Sequence, residues 1–240
     1  PRLITMTLGR RSVVNLAGAA VPLAVSVPTV GAMARLLDPG MPWLEIGNIA
    51  GYLVDTPDEA KSVAGSTIFS GIGFIRGTRC VIVVDDSGIQ AGAMTVGGGY
   101  RLRRAQEIAL QQKMPFVHLV ESAGGDLLNY KVEGFVTGGG LFANLARLSA
   151  KGMPVIALLH GSSTAGGAYM PGLSDYVVAV KGRGRAFLAG PPLLKAATGE
   201  IATEEELGGS EMHATLSGLA EYLVEDDVEA CLIGREVVGR

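Results

Sequence analysis

The chain has 240 residues, a formal net charge of −3 and 48% hydrophobic residues, enough for a large domain with an ample core. The negative balance argues against a nucleic-acid binder, which needs a basic excess to displace counterions from phosphates. No run of about twenty apolar residues escapes interruption by polar residues, Gly or Pro. The composition therefore points to a soluble α/β protein, and the 35 glycines beside 5% aromatics to tight turns rather than stacking platforms.

The first 37 residues contain no acidic residue, begin with Pro and place Arg10-Arg11 before an apolar run broken by Pro22 and Pro28. That composition suits a targeting segment, but the reading adopted is an N-terminal arm over 1–33, followed by one domain over 34–240. Leu37-Asp38-Pro39-Gly40 signals a turn. Apolar runs over 68–75 and 80–84, joined by Arg76-Gly77-Thr78, predict a β-hairpin. Gly97-Gly98-Gly99 then precedes an amphipathic helix over 100–112, with Leu102, Ala105, Ile108 and Ala109 inward and Arg101, Arg103 and Arg104 outward.

An internal repeat follows. Met114-Pro115 opens an apolar strand that ends in Glu121-Ser122-Ala123-Gly124-Gly125, and Met153-Pro154, 39 positions later, opens another that ends near Ala165-Gly166-Gly167. A helix-strand-glycine unit at this period predicts a stacked, solenoid-like arrangement. The helix between the strands shows Leu141, Leu145 and Leu148 on one face and stops at Lys151-Gly152. Further strands over 175–180 and 185–189 flank the turn Lys181-Gly182-Arg183-Gly184. Thr203 with Glu206 forms a capping box, a strand spans 220–224, and Glu225-Asp226-Asp227 opens a last helix with acids at its positive end.

Cys80 and Cys231 have no CxxC partner, and Cys80 lies in an apolar run, so it reads as a buried thiol in a reducing compartment. His118 (mid-strand), His160 (strand end) and His213 (in a polar helix) lack metal-ligand spacing, and no metal site is expected.

The two strands that end in glycine turns carry the candidate chemistry. Small residues leave the amides of Ala123, Gly124 and Gly125 uncovered. Gly166 and Gly167 fall near a helix start, where N–H groups lack internal partners and the dipole adds positive potential. Two such turns, placed equivalently in neighbouring repeats, would form an oxyanion hole. Ser162, Ser163 and Thr164 beside His160 offer hydroxyls, but no GxSxG elbow and no orienting acid accompany them. Arg101, Arg103 and Arg104 are either phosphate ligands or a solvated helix face, and Lys181, Arg183 and Arg185 either anion ligands or an exposed turn.

Three segments make the chain recognisable: Ala165-Gly166-Gly167-Ala168-Tyr169, the run from Phe187 through Gly190-Pro191-Pro192-Leu193 to Lys195 and Glu200, and Glu206-Leu207-Gly208-Gly209-Ser210-Glu211-Met212-His213. They closely resemble the β subunits of biotin-dependent acyl-CoA carboxylases, and Gly-Pro-Pro-Leu resembles the methylcrotonyl-CoA and geranyl-CoA branch. The resemblance runs from about Ala34 to Asp227 and matches the first of two homologous halves in that family. It implies a crotonase-type ββα spiral (ClpP/crotonase class) that binds an acyl-CoA, while a second half receives biotin across a subunit interface in a larger oligomer. It further implies a carboxyltransferase in which carboxybiotin, carried by a partner, provides CO₂. The thioester enolate is then held by amides around Ala123-Gly124-Gly125 and Gly166-Gly167. Arg101, Arg103, Arg104, Ser163, Thr164, Ala165, Ala168, Tyr169 and Lys195 are the expected coenzyme A contacts. The expected partners are a biotin carboxylase/carrier subunit and the C-terminal half, with further copies of this chain, in the cytoplasm or, in a eukaryote, the mitochondrial matrix. A related decarboxylase or hydratase, or a non-catalytic assembly subunit, is the alternative. The chain departs from the family in two places: Glu121-Ser122-Ala123-Gly124-Gly125 replaces Asp-Ser-Gly-Gly-Ala, and Gln90-Ala91-Gly92-Ala93 replaces Lys-Gly-Gly-Thr. Residues 126–140 and 1–33 do not match.

Overall fold

In the stretch 80–84 five successive residues are completely buried, which a strand achieves only when both sheet faces are covered. The computed structural model, which describes residues 11–14, 20–23, 27–126 and 131–240, shows how. Most of the expected N-terminal arm lies outside the described residues. What is described there is the hairpin of β1 (Arg11–Val14) and β2 (Ala20–Leu23) and the start of α1 (Val27–Leu36). Then come β3 (Leu44–Glu45), β4 (Ile68–Ile75), β5 (Thr78–Asp85), α2 (Val96–Gln112), β6 (Phe116–Ser122), α3 (Val132–Ala150) and β7 (Val155–Thr164). The chain continues through α4 (Tyr169–Gly172), β8 (Tyr176–Val180), β9 (Arg185–Phe187), α5 (Pro191–Thr198), α6 (Glu204–Gly208), α7 (Ser210–Met212), β10 (Tyr222–Val224) and α8 (Asp227–Val238).

The main sheet has the order β10-β8-β7-β6-β5-β4-β3. It is parallel from β10 to β5 and antiparallel beyond, where the expected hairpin β4–β5 lies. The 39-residue repeat is visible as register: Phe116 pairs with Val155 and Val120 with Leu159. The long strand β7 forks, its first half pairing with β8 and its last three residues with β9.

Side-chain alternation sorts the core into two layers. Val81, Val83, Phe116, Val120, Val155, Ala157 and Leu159 face α2 and α3, which contribute Leu102, Ala105, Ala109, Leu141, Leu145 and Leu148. Cys80, Ile82, Val84, Val117, Leu119, Ile156 and Leu158 face the other way, onto Met33 and Leu36 of α1 and Ala230, Cys231 and Val237 of α8. Burial pushes the Cys80 thiol up to about 12 and the Cys231 thiol up to about 11, so neither is a thiolate nucleophile at neutral pH.

Some boundaries differ from expectation. Helix α2 begins at Val96, because the Thr95 hydroxyl accepts the Gly98 N–H and caps it, so three glycines form its first turn instead of a loop. His213 is buried in a π-turn, with its ring nitrogens against Ala186 O at 2.8 Å and Ser217 Oγ at 2.7 Å, and not on a polar face. The capping box at Thr203 and Glu206 is present as expected.

Candidate functional site

Three turns stack where the parallel strands end. Residues 89–94 follow β5, 122–126 follow β6, and a 3₁₀ turn, Ala165–Ala168, follows β7. Backbone bonds join the first two: Ala123 N–H donates to Ala91 O at 3.1 Å, Met94 N–H to Gly124 O at 2.7 Å, and Asp126 N–H to Met94 O at 3.2 Å. The Ser122 hydroxyl donates to Gly92 O at 2.8 Å and accepts the Gly124 N–H at 3.2 Å.

Glycine makes the second and third turns fit. Gly124 has φ +85°, and a Cβ there would stand 2.8 Å from Thr164 O and 3.3 Å from Ala165 Cβ. A Cβ on Gly167 would stand 3.0 Å from Ser122 Cβ. Gly125 and Gly166 are different, since a Cβ on either would meet nothing within 4 Å. The glycines thus divide into one pair used for packing and one pair open to the surroundings. Three non-glycine residues in these turns, Gln90 (φ 48°), Ala91 (φ 51°) and Ala165 (φ 48°), adopt left-handed backbone, each at a cost of about 1–3 kcal/mol. Strain concentrated in this way is common at ligand sites.

The expected residues are therefore brought together in part. The turns 123–125 and 165–167 meet, but the Ala123 and Gly124 amides already have internal partners. That leaves the Gly125 N–H, which has no partner among the described residues, and the first N–H groups of the 165–168 turn, which lie too early to bond within it. The helix behind that turn has only four residues, so the expected dipole contribution is lost: α4 is too short to sum many peptide dipoles. Ser163 is completely buried with its Oγ unpartnered among the described residues, Ala168 is buried, and Thr164 is half-buried. Tyr169 is exposed and packs against Phe142 of α3 in a tilted ring contact, with centroids 4.8 Å apart and 36° between the planes.

Arg101 is a correction. It points inward, with 3% of its surface exposed, and donates to the carbonyls of Ile46, Gly65 and Ile68 while pairing with Glu45 at 3.2 Å. Helical spacing placed it outward, but 44–70 folds over α2 and needs a cation to satisfy its carbonyls. Arg103 and Arg104 share the one carboxylate of Glu107, at 3.2 and 3.4 Å, and remain accessible. Lys195 is exposed on α5. Of the other basic cluster, Lys181 pairs with Glu211 and Glu225, Arg183 with Asp227, and Arg185 with Glu204 and Glu205.

One residue near these turns escaped the sequence reading. Asp85, at the end of β5, accepts the Glu121 N–H at 3.2 Å and meets His118 Nε2 at 3.1 Å, both side chains buried. An acid ending an apolar strand beside a mid-strand histidine was the available signal. His160 is half-buried with its Nε2 enclosed, and desolvation holds it below the usual histidine range against the opposing pull of Glu121, Asp227 and Asp85. Among the described residues no cluster of three or more His, Cys, Asp or Glu is placed to hold a metal ion, and no helix is long and apolar enough to cross a membrane.

With this geometry in hand, three likenesses fall into line. The β2 subunit of a probable biotin-dependent acyl-coenzyme A carboxylase from Mycobacterium tuberculosis is 46% identical over 205 residues, covering 85% of this chain and 37% of the relative. The mitochondrial methylcrotonoyl-CoA carboxylase β chain of Dictyostelium discoideum is 44% identical over 206 residues, covering 85% and 34%. The crystal structure of the Pseudomonas aeruginosa geranyl-CoA carboxylase β subunit superposes with a TM-score of 0.80 at 47% identity, covering 90% of this chain and 39% of that one. This chain thus spans little more than a third of the length of its relatives. The last two belong to the branch that Gly190-Pro191-Pro192-Leu193 indicates, and the crotonase-like class expected from the resemblance is that of the matching carboxyltransferase structures. The carboxyl transferase domain pattern matches residues 29–240, nearly the whole chain, and the chain belongs to that family.

Proposed function

We propose that this chain is the acyl-CoA-binding half of a biotin-dependent acyl-CoA carboxyltransferase, and that its 122–126 and 165–167 turns hold the thioester oxygen. The observation that supports this most is the packing of Gly124 against Thr164 and of Gly167 against Ser122. A Cβ on Gly125 or on Gly166 would meet nothing within 4 Å, so the space beside each of these glycines is open. A carbonyl oxygen placed between them gains two donors that strengthen as negative charge develops on enolisation, each worth about 3 kcal/mol in the transition state. Carboxybiotin, delivered by a partner subunit, supplies the CO₂. This chain's own task is to orient the acyl carbon and stabilise its enolate; the biotin ureido anion left when CO₂ is released would take the α-proton, so no side-chain base of this chain is required. Arg103, Arg104 and Lys195 are the accessible cations proposed for the coenzyme A phosphates, with Thr164, Ala165 and Tyr169 lining the approach.

The second half of the carboxyltransferase, a biotin carboxylase/carrier subunit and further copies of this chain are the proposed partners. The relatives' names and the hexameric assembly named for the 27%-identical transcarboxylase 12S support that arrangement. The proposed compartment is the cytoplasm, or the mitochondrial matrix in a eukaryote; the Dictyostelium relative is named as mitochondrial. The test is co-purification followed by carboxylation of an acyl-CoA panel. Biotinylated protein should accompany the chain, and a branched 3-methyl acyl-CoA should incorporate labelled bicarbonate. No biotinylated companion and no incorporation would defeat the proposal.

A further inference from the structure

The ladder between β6 and β7 is broken at one point. Val120 pairs with Leu159, but the next pair is Ser122 with Ser163, so a single residue, Glu121, spans three on β7. Irregularities of this kind re-aim the chain that follows, and they recur beside active sites. Here the chain that follows is the 122–126 turn. The register shift has two local supports. Gly161 leaves room for the Glu121 side chain, whose carboxylate accepts the Ser87 hydroxyl at 2.8 Å. The Glu121 N–H, at the break, is held by Asp85 Oδ2 at 3.2 Å.

Asp85 is itself held. His118 Nε2 lies 3.1 Å from Asp85 Oδ1, and the two side chains are 2% and 4% exposed. A carboxylate accepts only, so the arrangement selects the tautomer that carries its proton on Nε2. Nδ1 is then buried without a partner among the described residues. Retaining a buried, unsatisfied ring nitrogen costs stability, and an apolar residue at 118 would avoid that cost. The cost makes sense if the bond to Asp85 serves another purpose. We infer that Asp85 and His118 are positioning residues: His118 orients Asp85, Asp85 pins the break at Glu121, and the pinned break directs the Gly125 amide toward the reacting oxygen. This rests on the function proposed above.

The test uses the assembled carboxylase. Asp85→Val removes the acceptor for the Glu121 N–H at similar volume. Asp85→Asn keeps one, because its amide oxygen accepts the Glu121 N–H while its NH₂ donates to the other tautomer of His118. The expected result is that Asp85→Val lowers kcat about tenfold or more, since a displacement of about 1 Å can cost a hundredfold, with the KM for acyl-CoA within about twofold. It should also speed hydrogen exchange at the Glu121 amide, and Asp85→Asn should restore both readouts. Where Asp85→Val does not fold, His118→Phe against His118→Gln gives the same comparison one bond further out. The inference is overturned if kcat is unaffected, if Glu121 exchange does not change, or if Asn restores neither. An unmodified enzyme that carboxylates no acyl-CoA would refute the functional reading instead, and the exchange comparison would still decide whether Asp85 pins the break.

Discussion

At the scale of single residues, the glycines in the stacked turns are not equivalent, and substitution should separate their roles. Gly124→Ala places a methyl 2.8 Å from Thr164 O on a residue with φ +85°. The expected outcome is a loss of about 1–3 kcal/mol, seen as a lower midpoint in urea. Gly166→Ala meets nothing, so its midpoint should stay within about 0.5 kcal/mol of the parent while the methyl obstructs acyl-CoA and lowers kcat/KM. Equal effects of the two on stability would contradict this division. His160 provides a pH signature. Burial holds its folded-state pKa below the unfolded value, so the unfolded chain takes up a proton that the folded chain refuses. Its contribution is intact above the unfolded pKa of about 6.5 and is lost as pH falls through the folded pKa. In His160→Met that part of the acid destabilisation should disappear, measured as a flatter dependence of unfolding midpoint on pH below about 6.5.

At the scale of elements, the sequence was most informative where one local rule acted alone. The β4–β5 hairpin, the capping box at Thr203 and the acid-led α8 all formed as read. In α8 the Asp226 carboxylate accepts the N–H groups of both Val228 and Glu229 at 2.9 Å. Asp226→Ala should therefore cost about 1 kcal/mol, with Asp226→Ser recovering most of it in thermal melts. The readings that failed were those in which a distant segment overruled a local pattern. Helical spacing turned Arg101 outward, yet the carbonyls of Ile46, Gly65 and Ile68 drew it inside. The glycine turn at 165–168 was read as a helix start, but only four residues of helix follow it, and the dipole argument failed with it.

For the whole molecule, the sheet is shared by two cores, and that predicts cooperativity. Leu148 packs in the layer under α2 and α3, whereas Leu158 packs in the layer under α1 and α8, and both are almost completely buried. Each change to Ala should cost about 2–5 kcal/mol. Because β5, β6 and β7 contribute to both layers, either variant should lower one common transition, monitored by far-UV and near-UV circular dichroism. Two separated transitions would show that the layers unfold independently.

By itself the sequence determined the fold class, the family and the two turns on which the proposed chemistry rests. The Met-Pro repeat at 114 and 153 survives as parallel register, and glycine-rich turns follow wherever strands of that repeat end. Those are local or periodic properties, written in residue type and spacing. The tertiary structure alone decided which amides are free. Ala123 and Gly124 are taken by Ala91 O and Ser122 Oγ, while the Gly125 N–H has no partner among the described residues, and Asp85 with His118 emerges behind the break at Glu121. A hydrogen bond between segments about thirty residues apart depends on where the sheet brings them, and pattern along the chain carries no record of that distance.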